Sequence, residues 1–109
     1  MLVLPIKKKW FDMIASGEKK EEYRDFKNYY HSRLLQYFSN KKDSDVELNC
    51  NEKPVIFRND YNRNSPQIKC LCQLGLGYGK QEWGAEQGKV YYVLKILQVL
   101  GDEKQWQKQ

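Results

Sequence analysis

The segment 17–24, GEKKEEYR, crowds lysines, glutamates and an arginine into one short stretch. On a strand, side chains alternate between faces, so Lys20, Glu22 and Arg24 share one face and Glu21, Tyr23 and Asp25 the other. Lys19, just past a helix end, can bind an anion or, where desolvated, give up its proton more easily. Glu22 can take up a proton or accept a hydrogen bond from an amino group on a base. Arg24 presents a planar fork suited to carboxylate or phosphate. The plain alternative is an exposed Glu22–Arg24 ion pair, which contributes under ~1 kcal/mol.

Other segments carry weaker chemistry. GLGYGK, residues 75–80, lacks the four-residue spacing and the following Ser or Thr of a phosphate-binding loop, because Gln81 follows Lys80. Its alternating glycines read as a sheet bend or as a place where backbone approaches another surface. The three cysteines, Cys50, Cys70 and Cys72, are an odd number, which argues against a disulfide framework. Cys70 and Cys72 fall on one strand face, but a zinc site needs four donors at wider spacing, so small buried hydrophobes are the better reading. No metal or cofactor is expected. Aromatic and basic residues could together hold a nucleic acid, the rings stacking on unpaired bases while cations follow the phosphates. Candidates are Tyr29, Tyr61, Tyr78 and Trp83, with Lys7, Lys8, Lys19, Arg24, Arg58 and Lys80 supplying charge. About half of these are expected in the core, and Trp10 is assigned there outright.

The opening LPIKKKWFDMIASGEKKEEYR resembles the signature of ASCH-domain proteins, in which a helix ends in a G-x-K-x-x-E/T-x-R pattern. PVIFRNDY, LGLGYG and EWGAEQGKVYYVLKI also resemble blocks of small ASCH proteins, in the same order, and only the 39–53 stretch carries none of the likeness. The resemblance implies a PUA-like fold, a small β-barrel or curved mixed sheet with two flanking helices. It also implies a basic cleft around GEKKEEYR that takes RNA or a modified nucleoside. Lys19, Glu22 and Arg24 would be its ligand-binding residues, and Arg58, Tyr61, Tyr78, Lys80 and Trp83 join them as candidates by residue type. Some small members are amidohydrolases that deacetylate N4-acetylcytidine. Their lysine and arginine match Lys19 and Arg24, while Glu22 stands where they carry a threonine nucleophile. A hydrolase built on this chain would use Lys19, Glu22 and Arg24, with Glu22 activating water and Lys19 stabilising the oxyanion.

These side chains need elements to hold them. Residues 2–6 read as a short apolar strand. In KKKWFDMIASG, Trp10, Met13 and Ile14 recur at helical spacing and Gly17 supplies a left-handed stop. KKEEYRDF follows as a return strand. In YYHSRLLQYF a second helix sets Tyr30, Leu34 and Phe38 on one stripe. Residues 39–53 read as a flexible loop, 54–58 as a strand, and NDYNRNSP as turn chemistry. A strand over 67–76 alternates Ile68, Cys70, Cys72 and Leu74. The run 90–100 reads as a strand buried on much of both faces. The tail, 101–109, is expected to fray. The class is α+β.

Composition bounds the rest. The 109 residues suit one domain, 1–109, and 14% aromatic content is too high for a disordered polymer. No apolar run approaches the roughly 20 residues of a membrane span. The apolar MLVLPI precedes its lysines, the reverse of a secretory signal, so a cytoplasmic location and no membrane partner are expected. A net charge of +5 attracts polyanions without specifying one, and serves solubility equally well. A protein partner and an oligomeric state are not readable from these features.

Overall fold

A computed structural model describes residues 1–39 and 52–102. It is a mixed α+β molecule built on five strands and two helices. The strands are β1 (Leu2–Ile6), β2 (Glu21–Arg24), β3 (Glu52–Asn59), β4 (Gln67–Tyr78) and β5 (Val90–Asp102). They form one curled, half-barrel sheet in the order β1-β3-β4-β5-β2, so β1 and β2 are its two edges. Only β1 and β3 run parallel; the other pairs are antiparallel.

Helix α1 (Lys8–Ala15) turns its Phe11 and Ile14 into the core. It stops where Gly17 takes φ +86°, a conformation that costs a residue without Cβ little. The Lys19 amide then reaches back to the Met13 carbonyl at 2.9 Å, which launches the chain into β2. The second helix, α2, comprises Asn28–Tyr30, a π-helical His31–Leu35 and Gln36–Phe38. Leu34 and Phe38 are buried on the expected stripe, with Tyr30 packed beside them. The wider π turn seats His31 against the Tyr92 hydroxyl, edge-on to its ring.

Alternation explains the core. Leu2, Leu4 and Ile6 of β1, Val55 and Phe57 of β3, Cys70 and Cys72 of β4, and Leu94 and Ile96 of β5 all face inward. Glu22 lies opposite Leu94 and Arg24 opposite Tyr92, so these two charged side chains stand on the same inner face. Pairing at that register is what carries charge into the mouth of the half-barrel.

Several expectations need correcting. Glu52 and Lys53, assigned to the 39–53 loop, begin β3, because their backbone pairs with Gln73 and Cys72. The rest of that loop from residue 40, Cys50 included, lies outside the described residues. Gly101 and Asp102, assigned to the 101–109 tail, pair with Lys69 and Ile68, while 103–109 lie outside the description. β5 is buried on both faces only over its Tyr91 to Leu94 portion, whereas Leu97, Val99 and Leu100 are exposed. The glycines at 75 and 77 stay paired with Val93 and Tyr91, and the register shifts of β4 against β5 fall at Lys69/Cys70 and Leu71/Cys72. Among the described residues no helix is long and apolar enough to cross a membrane.

Candidate functional site

Curling the sheet brings its edges together without pairing them. One hydrogen bond crosses the gap, from Arg24 Nη2 on β2 to the Pro5 carbonyl on β1, at 3.0 Å. Beside it opens a cleft of about 570 Å³. Glu22 and Arg24 contribute from β2, Pro5, Ile6, Lys7 and Lys8 from β1 and the start of α1, and Trp10 from α1 itself. Lys27 and Tyr30 come from around the start of α2, and Asn59, Asp60 and Tyr61 from the end of β3.

Three charged side chains of the GEKKEEYR segment converge as its spacing suggested. Glu22 bonds Lys19 Nζ through Oε1 at 3.2 Å and Arg24 Nη2 through Oε2 at 2.7 Å. Lys19 is the most enclosed of them, 1% exposed. Its ammonium also donates to the Glu21 carbonyl and, at 2.9 Å, to the Trp83 carbonyl, and it lies over the Tyr23 and Trp10 rings. Burial lowers its pKa below that of an ordinary lysine, against the opposing pull of Glu22. Arg24 donates through Nη1 to the Tyr30 hydroxyl at 3.1 Å, while its Nε is buried with no partner among the described residues. Burial disfavours its charge, but Glu22 and Tyr30 outweigh that and raise its pKa.

The rim has its own geometry. Asp60 takes φ +79°, a left-handed conformation that aspartate tolerates better than most residues. Its amide bonds the Ile6 carbonyl at 2.9 Å, and its carboxylate receives the Tyr61 amide at 2.8 Å. That turn leaves Tyr61 82% exposed at the cleft mouth. Lys7, Lys8 and Lys27 are exposed around it. Lys8 also pairs with Asp12, and Asp25 with Lys89.

The remaining candidates lie elsewhere. Trp83, expected as a stacking surface, is buried, because the 3-10 turn Gln81–Trp83 folds it inward and Lys19 holds its carbonyl. Lys80 lies over the Trp83 ring, and its amide bonds the Tyr23 hydroxyl. Tyr78 is exposed but lines a separate shallow trough with Gly75 and Gly77. Arg58 stands beside Pro5 in the β1–β3 register and does not line the cleft. Tyr29 is exposed on α2, against Tyr30 and beneath the Arg33 guanidinium. Trp10 packs on the core as expected, yet one part of it also lines the cleft.

Sequence reasoning missed Lys27, Tyr30, Asn59 and Asp60 as cleft residues. Helical spacing puts Tyr30 on a core stripe, which hides the fact that its hydroxyl end points to Arg24. Cys70 and Cys72 are fully buried, and burial pushes the Cys70 thiol up to about 12 and the Cys72 thiol higher still. Neither is a nucleophile in that state. Among the described residues no group of three or more His, Cys, Asp or Glu side chains is arranged to hold a metal ion.

Chemically, the cleft combines a carboxylate and a guanidinium at its base, aromatic walls and a lysine-studded rim. Comparison with protein-family models, curated proteins and solved structures returns no match for this chain.

Proposed function

We propose that the chain is an RNA- or nucleotide-binding module of ASCH type, and that the cleft between β1 and β2 receives a nucleotide unit. One observation carries this reading: Glu22 and Arg24 at the base of the cleft share it with Trp10, Tyr30 and Tyr61 and with exposed Lys7, Lys8 and Lys27. A base needs flat partners and hydrogen-bonding groups, and a phosphate needs accessible cations. The cleft supplies both sets within one opening. The resemblance of GEKKEEYR and its flanking blocks to ASCH proteins supports the same reading.

The amidohydrolase alternative draws less support from the geometry. Lys19 would have to stabilise an oxyanion, but its ammonium already donates to two carbonyl oxygens and to Glu22, inside the protein. Glu22 alone would remain to activate water.

Titrating short, fluorescently labelled single-stranded RNA at two salt concentrations tests the binding module. The expected result is binding at low salt that weakens as salt rises, and a further loss on Tyr61→Ala. Stacking on one aromatic is worth about 1–3 kcal/mol per base. Absence of binding at low salt, or binding indifferent to salt, overturns the proposal.

A further inference from the structure

The base of the cleft has a hydrogen-bonding polarity that its net charge conceals. An ammonium has three N–H donors, and those of Lys19 meet the Glu21 carbonyl, the Trp83 carbonyl and Glu22 Oε1. Both N–H groups of Arg24 Nη2 are likewise occupied, by the Pro5 carbonyl and Glu22 Oε2. Of the two Arg24 donors left once Nη1 has bonded Tyr30, Nε–H is buried without a partner among the described residues, so the cations at the base offer an incoming group no more than the second N–H of Nη1. Each oxygen of the Glu22 carboxylate has accepted one hydrogen bond, and each has a second lone pair left. Glu22 lines the cleft, so its carboxylate remains open there as an acceptor.

Tyr30 adds the complementary group. Its oxygen accepts from Arg24 Nη1, which leaves the phenolic proton to be donated elsewhere. Glu22 and Tyr30 bond to the two terminal nitrogens of one guanidinium, so a single planar group ties the acceptor and the donor together. Both line the cleft.

We infer that the cleft selects bases presenting an exocyclic amino group beside an unprotonated ring nitrogen, the pattern of adenine and cytosine, with Glu22 receiving the amino group and Tyr30 donating to the ring nitrogen. This inference rests on the nucleotide-binding reading and adds specificity to it. Docked in the same pose, keto bases such as uracil and hypoxanthine present the reverse pattern, a carbonyl facing Glu22 and an N–H facing the Tyr30 proton, and must slide or turn over to set their N–H on Glu22. A carbonyl set against a carboxylate leaves both acceptors unsatisfied, and sites built to hydrogen-bond an N–H reject analogues that lack it. The ligand's phosphate belongs on the rim, with Lys7, Lys8 and Lys27.

Calorimetric titration of the full chain with nucleoside 5′-monophosphates in amino/keto pairs, AMP against IMP and CMP against UMP, is the test. AMP and CMP are expected to bind about tenfold more tightly than their keto partners, the ratio that one well-placed hydrogen bond supplies. Glu22→Gln should collapse that ratio, because a glutamine amide turns over to offer either polarity. Lys27→Ala should weaken all four ligands alike and leave the ratio standing. Equal affinities within each pair, or tighter binding of the keto member, overturn the inference while the binding reading survives. If none of the four binds while the labelled RNA does, the inference falls and the binding reading survives; if the RNA does not bind either, both fall. Should Glu22→Gln fail to fold by circular dichroism, the ratios measured with the native chain and with Lys27→Ala decide alone.

Discussion

Glu22 holds two cations in place from a position almost closed to water. Its partners Lys19 and Arg24 have 0% and 11% of their side-chain area exposed. Removing the carboxylate leaves the lysine charge buried without compensation, a loss of about 3–5 kcal/mol in comparable buried pairs. Glu22→Ala is therefore expected to lower stability in urea melts by that order. Asp12→Ala, which breaks the exposed Lys8–Asp12 pair, should cost under ~1 kcal/mol. Equal losses in the two variants would mean that the buried pair contributes no more than a surface one. The thiols give a second, pH-dependent signature. Burial raises Cys70 from 9.0 to about 12 and Cys72 further, and burial also raises Tyr23 above its ordinary 10.0. Above pH 9 the unfolded chain loses these protons while the folded one keeps them, so stability falls as pH rises through that window. Each thiol contributes about 1.4 kcal/mol per pH unit to the fall. Lys19 works in the opposite sense, since a lowered lysine pKa favours folding as pH climbs towards 10.5. Melts between pH 8.5 and 11 should show the native chain declining more steeply than Cys72→Ala; parallel slopes would show that the Cys72 thiol is not shielded.

At the scale of elements, the glycines of the 75–79 stretch divide by what stands above them. A Cβ at Gly79 would come within 2.5 Å of Ala85 Cβ and 2.7 Å of the Tyr23 ring, so the connection to β5 could not stay packed on β2. Gly79→Ala is expected to cost about 1–3 kcal/mol, as overpacking does. A Cβ at Gly75 meets nothing within 4 Å, and Gly75→Ala should be neutral or stabilising by a few tenths to about 1 kcal/mol, from reduced chain entropy. Thermal melts that rank the two the other way would refute the packing of this connection. Local patterns made much of this level legible. Period-two spacing placed Glu22 and Arg24 on one face, period-3.6 spacing placed Leu34 and Phe38 in the core, and Gly17 marked the end of α1. Trp83 was not legible, because it sits in a polar, glycine-rich run and the group that holds its carbonyl, Lys19, is 64 residues away. Asn59 to Tyr61 reach the cleft through the parallel pairing of β1 with β3, a long-range contact with no local signature.

For the molecule as a whole, the question is where its excess charge of +5 resides. The sequence led to the expectation of a basic cleft. Lys7, Lys8, Arg24 and Lys27 line it, but so do Glu22, Asp25 and Asp60, so it holds only a small share of the excess. Arg24 is engaged by Glu22, Pro5 and Tyr30, which leaves the exposed Lys7, Lys8 and Lys27 to neutralise phosphates, Lys8 by giving up its surface pair with Asp12. Single-stranded binding loses affinity with a slope of about −0.7 per neutralised phosphate on a log–log salt plot. Three contacts thus predict a slope near −2, or roughly a fifteenfold loss between 50 and 200 mM salt. Lys9, Lys20, Lys80 and Lys95 are also exposed but do not line the cleft. If RNA wrapped the surface and used these as well, the slope would steepen to about −4 or beyond. The RNA titration, extended to several salt concentrations, separates the two cases. A shallow slope that flattens further on Lys27→Ala places the contacts at the seam between β1 and β2; a steep slope unmoved by that change would place them elsewhere on the molecule.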